Sequence, residues 1–194
     1  LRGALLAGGR PWDRIDSADW WRLFACGTTG VAANQLLFFN GLDATSPVNA
    51  SLIMTSNPIL VLGISSVLLG TAITSRKVLG IALGAIGAVT LMIIGGQSEG
   101  DYSSWQGDLM ILLNATSYGF YLVLVKPLMS KYRPLTIISW VFAFGAVWVL
   151  PIGMKQALAV DWNAFETADW QGLAYVVLGT TFMVYLLNIY ALRI

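Results

Sequence analysis

Long apolar runs alternate with short polar segments along the whole chain. Six runs contain no Asp, Glu, Lys, Arg or His. Each is close to, or longer than, the about 20 residues that a helix needs to cross the hydrocarbon core of a bilayer. The runs are Leu23–Leu42, Pro47–Ile73, Val78–Gln97, Leu109–Val125, Leu135–Met154 and Leu173–Leu192. In lipid the backbone must pair its own polar groups, and the runs lack the alternation of barrel strands, so they predict six membrane-crossing helices.

The composition agrees with a membrane protein and excludes several other classes. Hydrophobic residues make up 57% of the chain and charged residues 11%, about half the charged share of a typical globular domain. A net charge of +1 without a basic stripe argues against a nucleic-acid partner. With no histidine and one cysteine, Cys26, a zinc site is not expected. No nucleophile–base pair or phosphate-binding loop stands out, so we expect neither an enzyme nor a cofactor.

Positive charges fall on alternate connections between the runs. Ten of the 11 Lys and Arg residues lie in the segment before Leu23, in the connections at 74–77 and 126–134, or after Leu192. The connections at 43–46 and 98–108 carry none. Cytoplasmic loops of membrane proteins are enriched in Lys and Arg, so the ten charges predict the cytoplasmic side. We expect an integral protein of a bacterial inner (plasma) membrane.

A weak internal repeat relates the first run to the last. Asp19-Trp20 precedes the first run and Gly27-Thr28-Thr29 lies inside it, while Asp169-Trp170 and Gly179-Thr180-Thr181 occupy similar places in the last. Five helix starts separate the two copies, so they would cross the membrane in opposite directions. Such inverted repeats are typical of secondary transporters. The alternative is that helix entries simply reuse these residue pairs.

Several stretches of the sequence resemble the EamA branch of the drug/metabolite transporter superfamily. They are Asn34–Leu42, Thr45–Ile53, Asn57–Ile59, Lys77–Ile81, Gly107–Leu109 and Lys126–Met129. The resemblance extends over nearly the whole chain, and it specifies a fold better than a substrate.

The resemblance implies an all-α bundle of ten helices, built as two inverted repeats of five, with both termini in the cytoplasm. Residues 1–97 would run from the end of the second helix through the fifth, and residues 98–194 from the sixth through the eighth. The first helix, most of the second and the last two would lie outside this sequence. Many members carry a Glu after the fourth helix, where this chain has Leu69-Gly70-Thr71. No role of that carboxylate can be transferred.

Two helices carry their polar residues on single faces. The residues of the first face recur at helical spacing in the run 109–125, and those of the second do so in the run 173–192. They are Asn114, Ser117, Tyr118 and Tyr121, and then Thr181, Tyr185 and Asn188. We interpret them as walls of a substrate pathway, and the resemblance implies the same, because the sixth and eighth helices of the family face its central pathway. Hydrogen bonding between helices, worth on average only about 0.6 kcal/mol per pair, is the alternative.

Other candidates lie in the first three runs. The repeat aligns Gln35 with Tyr185, which makes Gln35 a better pathway candidate than Asn34, whose face could simply pack. Pro58 removes one helical hydrogen bond and predicts a kink, which could be a hinge or purely structural.

The third run contains small residues at close spacing. Gly80, Gly84 and Gly87 include a GxxxG pattern. In bilayers this pattern lets helix backbones touch, so it predicts helix packing.

Together these patterns predict a secondary transporter, an exporter or exchanger that works by alternating access. Its partners would be the lipid bilayer and a small polar or amphipathic metabolite such as an amino acid. No Asp, Glu, Lys, Arg or His lies in the runs, which disfavours proton coupling and phosphate-ester substrates. A non-transporting scaffold or receptor and a membrane-embedded enzyme stay open as alternatives.

The charge pattern predicts that Ser98 and Ser130 lie on opposite sides of the membrane. In full-length protein carrying Cys26→Ser, we expect Ser98→Cys to react with a membrane-impermeant maleimide on intact cells. Ser130→Cys should react only after lysis, because Lys and Arg concentrate on its side. Labelling of Ser130→Cys on intact cells would contradict this orientation.

Overall fold

The computed structural model describes residues 14–95 and 104–192, and within these ranges the chain forms helices and turns but no β-strand. The helices are α1 (Trp20–Gly27), α2 (Asn34–Ala44), α3 (Pro47–Met54), α4 (Asn57–Leu69), α5 (Ser75–Gly95), α6 (Trp105–Met129), α7 (Pro134–Ala159), α8 (Thr167–Ala174) and α9 (Val184–Leu192). Thr28–Ala33, the first π segment, joins α1 to α2 as wider, π-helical turns. Tyr175–Met183, the second π segment, joins α8 to α9 in the same way. Short 3-10 turns lie at Ser17–Asp19 and Trp162–Ala164.

The all-helical prediction is confirmed for these residues. Three stretches are long and apolar enough to cross a membrane: Pro47–Leu69, which joins α3 and α4, then Trp105–Met129 and Pro134–Ala159. Helix α4 ends at Leu69, before the predicted end at Ile73, because Gly70 adopts a left-handed conformation with φ 62°. A left-handed glycine directly after the last turn is a common way to end a helix.

Helix α6 lies at the centre of the described bundle. It contacts α1, α2, α3, α4 and the first π segment. Its inner side contributes Tyr121, Val125 and Leu128 to a buried cluster that also contains Leu23 of α1 and Ile137 of α7. Large apolar side chains remain exposed on the outside, as expected for helices that face lipid or further helices.

Glycines allow close approach at two points of this packing. A Cβ atom on Gly27 would lie 2.6 Å from Cβ of Phe144 and 2.8 Å from the carbonyl oxygen of Val141, so the backbones of α1 and α7 meet there. At Gly30, the ring of Tyr121 occupies the space that a side chain would need. Small residues at such contacts are how membrane helices gain packing energy, since lipid supplies little hydrophobic drive for association.

Helix α1, the first π segment and α2 form one continuous helix, which we call the α1–α2 helix. Polar contacts join the α2 end of this helix to the start of α6. The hydroxyl of Thr45 donates to Oδ1 of Asp108 at 2.5 Å. The hydroxyl of Ser104 donates to the carbonyl oxygen of Ala44 at 2.8 Å and accepts from the N–H of Gly107 at 3.0 Å, which caps α6. These bonds fix the start of α6 against the end of α2.

A buried carboxylate joins the same helices at the opposite end. Asp19 is 1% exposed and accepts from Nζ of Lys131 at 2.7 Å, the hydroxyl of Tyr132 at 2.8 Å and a guanidinium nitrogen of Arg22 at 3.3 Å. The Tyr132 oxygen in turn accepts from the N–H of Asp16 at 3.1 Å. The hydrogen bond from Lys131 lowers the pKa of Asp19, with a further contribution from Tyr132, against the opposing effect of burial. Asp19 therefore stays ionised and holds the connection between α6 and α7 against the start of α1.

The chain is interrupted close to Pro58. Helix α3 ends at Met54, Thr55 and Ser56 form a turn, and α4 begins at Asn57 with the proline in its first turn. A proline fits there because N–H groups of the first turn have no helical partner. The hinge role of Pro58 stays a prediction.

The glycine pattern lies on α5. A Cβ atom on Gly80 would meet no atom of the described residues within 4 Å. The surroundings of Gly84 and Gly87 lie outside what the structure describes. The packing role of all three glycines stays a prediction.

The Asp19 contacts predict a stability that depends on this carboxylate and on pH. Asp19→Asn should lower the free energy of unfolding by about 1–3 kcal/mol, because hydrogen bonds to an ionised acceptor are lost. The folded-state pKa is lowered, so this contribution is fully present above about pH 4 and is lost as pH falls through the folded value. Thermal unfolding of the purified full-length protein, followed against pH, would measure it.

The matched control is Asp43→Asn, an exposed carboxylate near the other end of the helix. It should leave the unfolding temperature within experimental error. A gap between wild type and Asp19→Asn that does not shrink on acidification would contradict the assignment.

Candidate functional site

A cavity of about 460 Å³ lies between α2, α6, the second π segment and the break between α3 and α4. Its lining combines amides, hydroxyls and phenols with apolar side chains. The polar members are Asn34, Gln35, Asn57, Asn114, Tyr118, Thr180, Thr181 and Tyr185, and the apolar members are Phe38, Phe39, Met54, Val176 and Val184. None of these described lining residues carries a charge, so the cavity, which we call the inner cavity, is polar but electrically neutral.

A second cavity, of about 990 Å³, adjoins the inner cavity. It shares Met54 and Asn57 with it, and Arg76 and Lys77 at the start of α5 line its wall. We call it the outer cavity. Asn57 thus stands where a neutral cavity meets a wider one with cationic residues on its wall.

The structure brings six of the nine sequence-predicted pathway residues to the inner cavity. They are Asn34, Gln35, Asn114, Tyr118, Thr181 and Tyr185. Asn34 lines the cavity together with Gln35, although the sequence made Gln35 the better candidate of the two. The two polar faces that the sequence predicts on separate helices therefore both contribute residues to the inner cavity.

The other three predicted residues lie behind the cavity wall. The hydroxyl of Ser117 donates to the carbonyl oxygen of Thr29 at 2.7 Å. Tyr121 is 1% exposed and packs against Gly30. The side-chain amide of Asn188 donates to the Tyr118 hydroxyl at 2.8 Å, so it orients a lining residue from behind.

The first π segment is the backbone centre of the site. A π-helical turn pairs an N–H with a carbonyl five residues earlier, which changes the register of the helical hydrogen bonds, and such turns are frequent at functional sites. The carbonyl oxygens of Thr29 and Gly30 accept from the side chains of Ser117 and Tyr185. One residue past the segment, the carbonyl oxygen of Asn34 accepts from Nδ2 of Asn114 at 2.6 Å. The segment is thereby joined to both α6 and α9.

Aromatic rings stiffen the wall of the inner cavity. The rings of Tyr118 and Tyr121 lie 5.7 Å apart between centroids, those of Tyr121 and Tyr185 5.9 Å, and those of Phe142 and Tyr185 5.3 Å. Rings at these distances attract one another beyond simple burial. The phenols are therefore held in place on a packed ring surface.

Two side-chain acceptors at the cavity lack a partner. Asn114 is 1% exposed, and its Oδ1 atom has no hydrogen-bond partner within residues 14–95 and 104–192; the same holds for Oδ1 of Asn57. A buried acceptor without a partner costs about 1–3 kcal/mol, so such atoms are rare in folded proteins.

Sequence analysis missed part of the lining. Phe38 and Phe39 follow Asn34 and Gln35 by four residues, so helical spacing alone could have placed them on the same face. Asn57 had no spacing signal, because the turn at Thr55 breaks the helical register before it.

The described residues that line the inner cavity offer no His, Cys, Asp or Glu ligand to a metal ion. Within the described parts of the chain no group of three or more His, Cys, Asp or Glu side chains could hold one. The chemistry that the lining offers is hydrogen bonding, aromatic contact and shape.

The chain is similar in sequence to several proteins that are named as transporters or exporters. The chain is similar to the uncharacterized transporter YyaM of Bacillus subtilis (strain 168), with 31% identity over 82% of this chain and 53% of that protein. An uncharacterized transporter of Archaeoglobus fulgidus is 30% identical over 82% of this chain and 56% of its own length. A probable terminal-alkyne amino-acid exporter of Streptantibioticus cattleyicolor is 28% identical over 77% and 49%. The chain spans about half the length of these curated relatives.

The family assignment rests on a match over most of the sequence. No solved structure matches the chain. The family model described as the EamA-like transporter family matches residues 3–93 and 105–194, one range on each side of the connection before α6. The resemblance seen in the sequence is confirmed, and the chain belongs to the EamA-like transporter family.

Proposed function

We propose that the full-length protein is a secondary transporter of small polar or amphipathic metabolites such as amino acids, working as an exporter or exchanger by alternating access. The observation that carries this proposal is the inner cavity, a neutral space lined by amides, phenols and aromatic rings inside a bundle of apolar helices. Sites for small molecules typically combine an apolar lining with a few well-placed polar groups.

The size and the charge of the cavity support this substrate class. A volume of about 460 Å³ falls within the range of small-molecule sites, roughly 300–1,000 Å³, and leaves room for one amino-acid-sized molecule. A neutral lining gives no counter-ion for a phosphate ester. The printed name of one relative, a probable terminal-alkyne amino-acid exporter, points to the same class.

We propose that residues 1–97 and 98–194 belong to two inverted copies of one unit within a ten-helix bundle in a bacterial inner membrane. The family match in two ranges supports this arrangement. So does the position of the two π segments, since each includes Thr residues of a Gly-Thr-Thr triplet, Thr28 and Thr29 in one and Thr180 and Thr181 in the other. Inverted repeats with interrupted helices near the binding site are typical of secondary transporters.

Transport is tested by uptake of labelled amino acids and related metabolites into proteoliposomes that hold the full-length protein, with and without counter-substrate inside. Tyr118→Ala and Asn188→Ala should each lower the ratio of maximal flux to KM by about tenfold or more. The first variant removes a side chain that lines the cavity, and the second removes the hydrogen bond that orients the Tyr118 hydroxyl.

The matched control is Tyr175→Ala, a tyrosine of the second π segment that is 69% exposed. It should transport like the wild type. Flux that survives in both test variants would place the pathway elsewhere. No flux for any compound, with each protein folded, would favour the scaffold or receptor alternative.

A further inference from the structure

We propose that the outer cavity binds an anionic phospholipid of the cytoplasmic leaflet, with the headgroup phosphate on Arg76 and Lys77 and an acyl chain along the apolar walls. Two observations carry this proposal. The cavity is a groove between α4 and α5 with two cations at one end, and these cations have no carboxylate partner within the described residues. The site is separate from the proposed transport and does not depend on which substrate is carried.

The groove lies between one face of α4 and one face of α5. On each helix, lining residues follow one another at positions i, i+3 and i+4, which share a helical face. They are Pro58, Val61 and Leu62 on α4, and Lys77, Gly80 and Ile81 on α5. A Cβ atom on Gly80 would meet no atom of the described residues within 4 Å, so the two helices leave room between them.

The charge of the groove is concentrated at one end. Arg76 and Lys77 lie in the first turn of α5, next to the connection 70–74 that joins it to α4. The lining deeper along the two helices is mainly apolar, as at Val61, Leu62 and Ile81. The distribution of Lys and Arg along the sequence predicts that this connection is cytoplasmic. Anionic lipids of the cytoplasmic leaflet attract basic residues at the ends of membrane helices, so a lipid fits both the charge and the apolar walls.

Arg76 and Lys77 lack a counter-ion in the described structure. Both residues are exposed, and no Asp or Glu is among the described residues of the lining. Neither forms an ion pair with a carboxylate of residues 14–95 or 104–192. Two neighbouring positive charges repel each other, and an anion between them removes this repulsion. A phosphate group can accept hydrogen bonds from the guanidinium and from the ammonium at once.

A lipid suits the whole groove, whereas two other occupants suit only part of it. Free phosphate would bind the two cations and leave the apolar walls in contact with water. A further helix packed into the groove would cover the apolar walls but would also bury Arg76 and Lys77. Burying a charge without a partner is costly, so such a helix would need to bring carboxylates with it.

Native mass spectrometry of the purified full-length protein measures lipid binding. The probes are phosphatidylglycerol and phosphatidylcholine with the same palmitoyl and oleoyl chains, and glycerophosphoglycerol, which is the anionic headgroup without chains. We expect phosphatidylglycerol to bind about tenfold or more tightly than phosphatidylcholine, because each basic residue near an anionic headgroup strengthens binding by about fivefold. Glycerophosphoglycerol should compete only weakly, because it cannot cover the apolar walls.

Variants of the groove separate its charge from its shape. Arg76→Gln and Lys77→Gln should each lower the preference for phosphatidylglycerol by about fivefold. Gly80→Leu keeps both charges and should weaken phosphatidylglycerol binding several-fold, because its side chain would occupy the groove. Ile81→Trp fills the same groove if Gly80→Leu fails to fold. The matched control is Lys126→Gln, which removes an exposed cation on the same predicted side and outside the groove, and it should keep the full preference.

Three results would overturn the proposal. The first is equal binding of the two phospholipids by the wild type. The second is an unchanged preference in a folded Arg76→Gln/Lys77→Gln double variant, or unchanged phosphatidylglycerol binding in a folded Gly80→Leu or Ile81→Trp variant, since the lipid would then bind elsewhere. The third is competition by glycerophosphoglycerol at the affinity of the intact lipid, which would indicate a site for a soluble phosphate.

Discussion

Two backbone carbonyl groups of the first π segment, Thr28–Ala33, accept side-chain hydrogen bonds from neighbouring helices, and these contacts lie at the centre of the described bundle. Inside a bilayer no water competes for such carbonyl groups, so a hydrogen bond from another helix is a favourable contact there. Ser117 of α6 and Tyr185 of α9 bond the carbonyls of Thr29 and Gly30. These two bonds fix α6 and α9 against the same turn of the first π segment. The ring of Tyr121 packs against Gly30 at the same place.

Some side chains near the first π segment both connect helices and line the inner cavity. The Asn114 amide donates to the carbonyl oxygen of Asn34 in α2, and Asn114 is also one of the residues that line the inner cavity. Asn188 acts from behind, through the hydroxyl of Tyr118. Several polar residues of the cavity lining, namely Asn34, Asn114, Tyr118 and Tyr185, also take part in hydrogen bonds between helices, so the same bonds hold the helices and the cavity lining in place.

The α1–α2 helix and α6 are joined at three positions along their length. Asp19 with Lys131 and Tyr132 closes one end, Thr45 with Asp108 closes the other, and the π segment joins them in the middle. Among the described contacts of this pair, those with charged side chains lie at its two ends, and neutral donors serve the middle. This order follows the cost of charge in lipid, which falls towards the interfaces.

The sequence by itself determined the helical class, the position of the apolar runs, the family resemblance and two polar faces, because lipid demands long apolar helices and leaves polar residues few places to go. Tertiary structure alone decided which of those residues reach the cavity. Ser117 and Tyr121 share a face with Tyr118 at 3.6 residues per turn, yet they meet the π segment of a neighbouring helix instead. Asn57 reaches the cavity only because a turn interrupts the helix before it. Helical spacing assumes a regular helix and gives no information on what packs against it. It therefore cannot predict where irregular turns occur or which neighbouring helix a residue contacts.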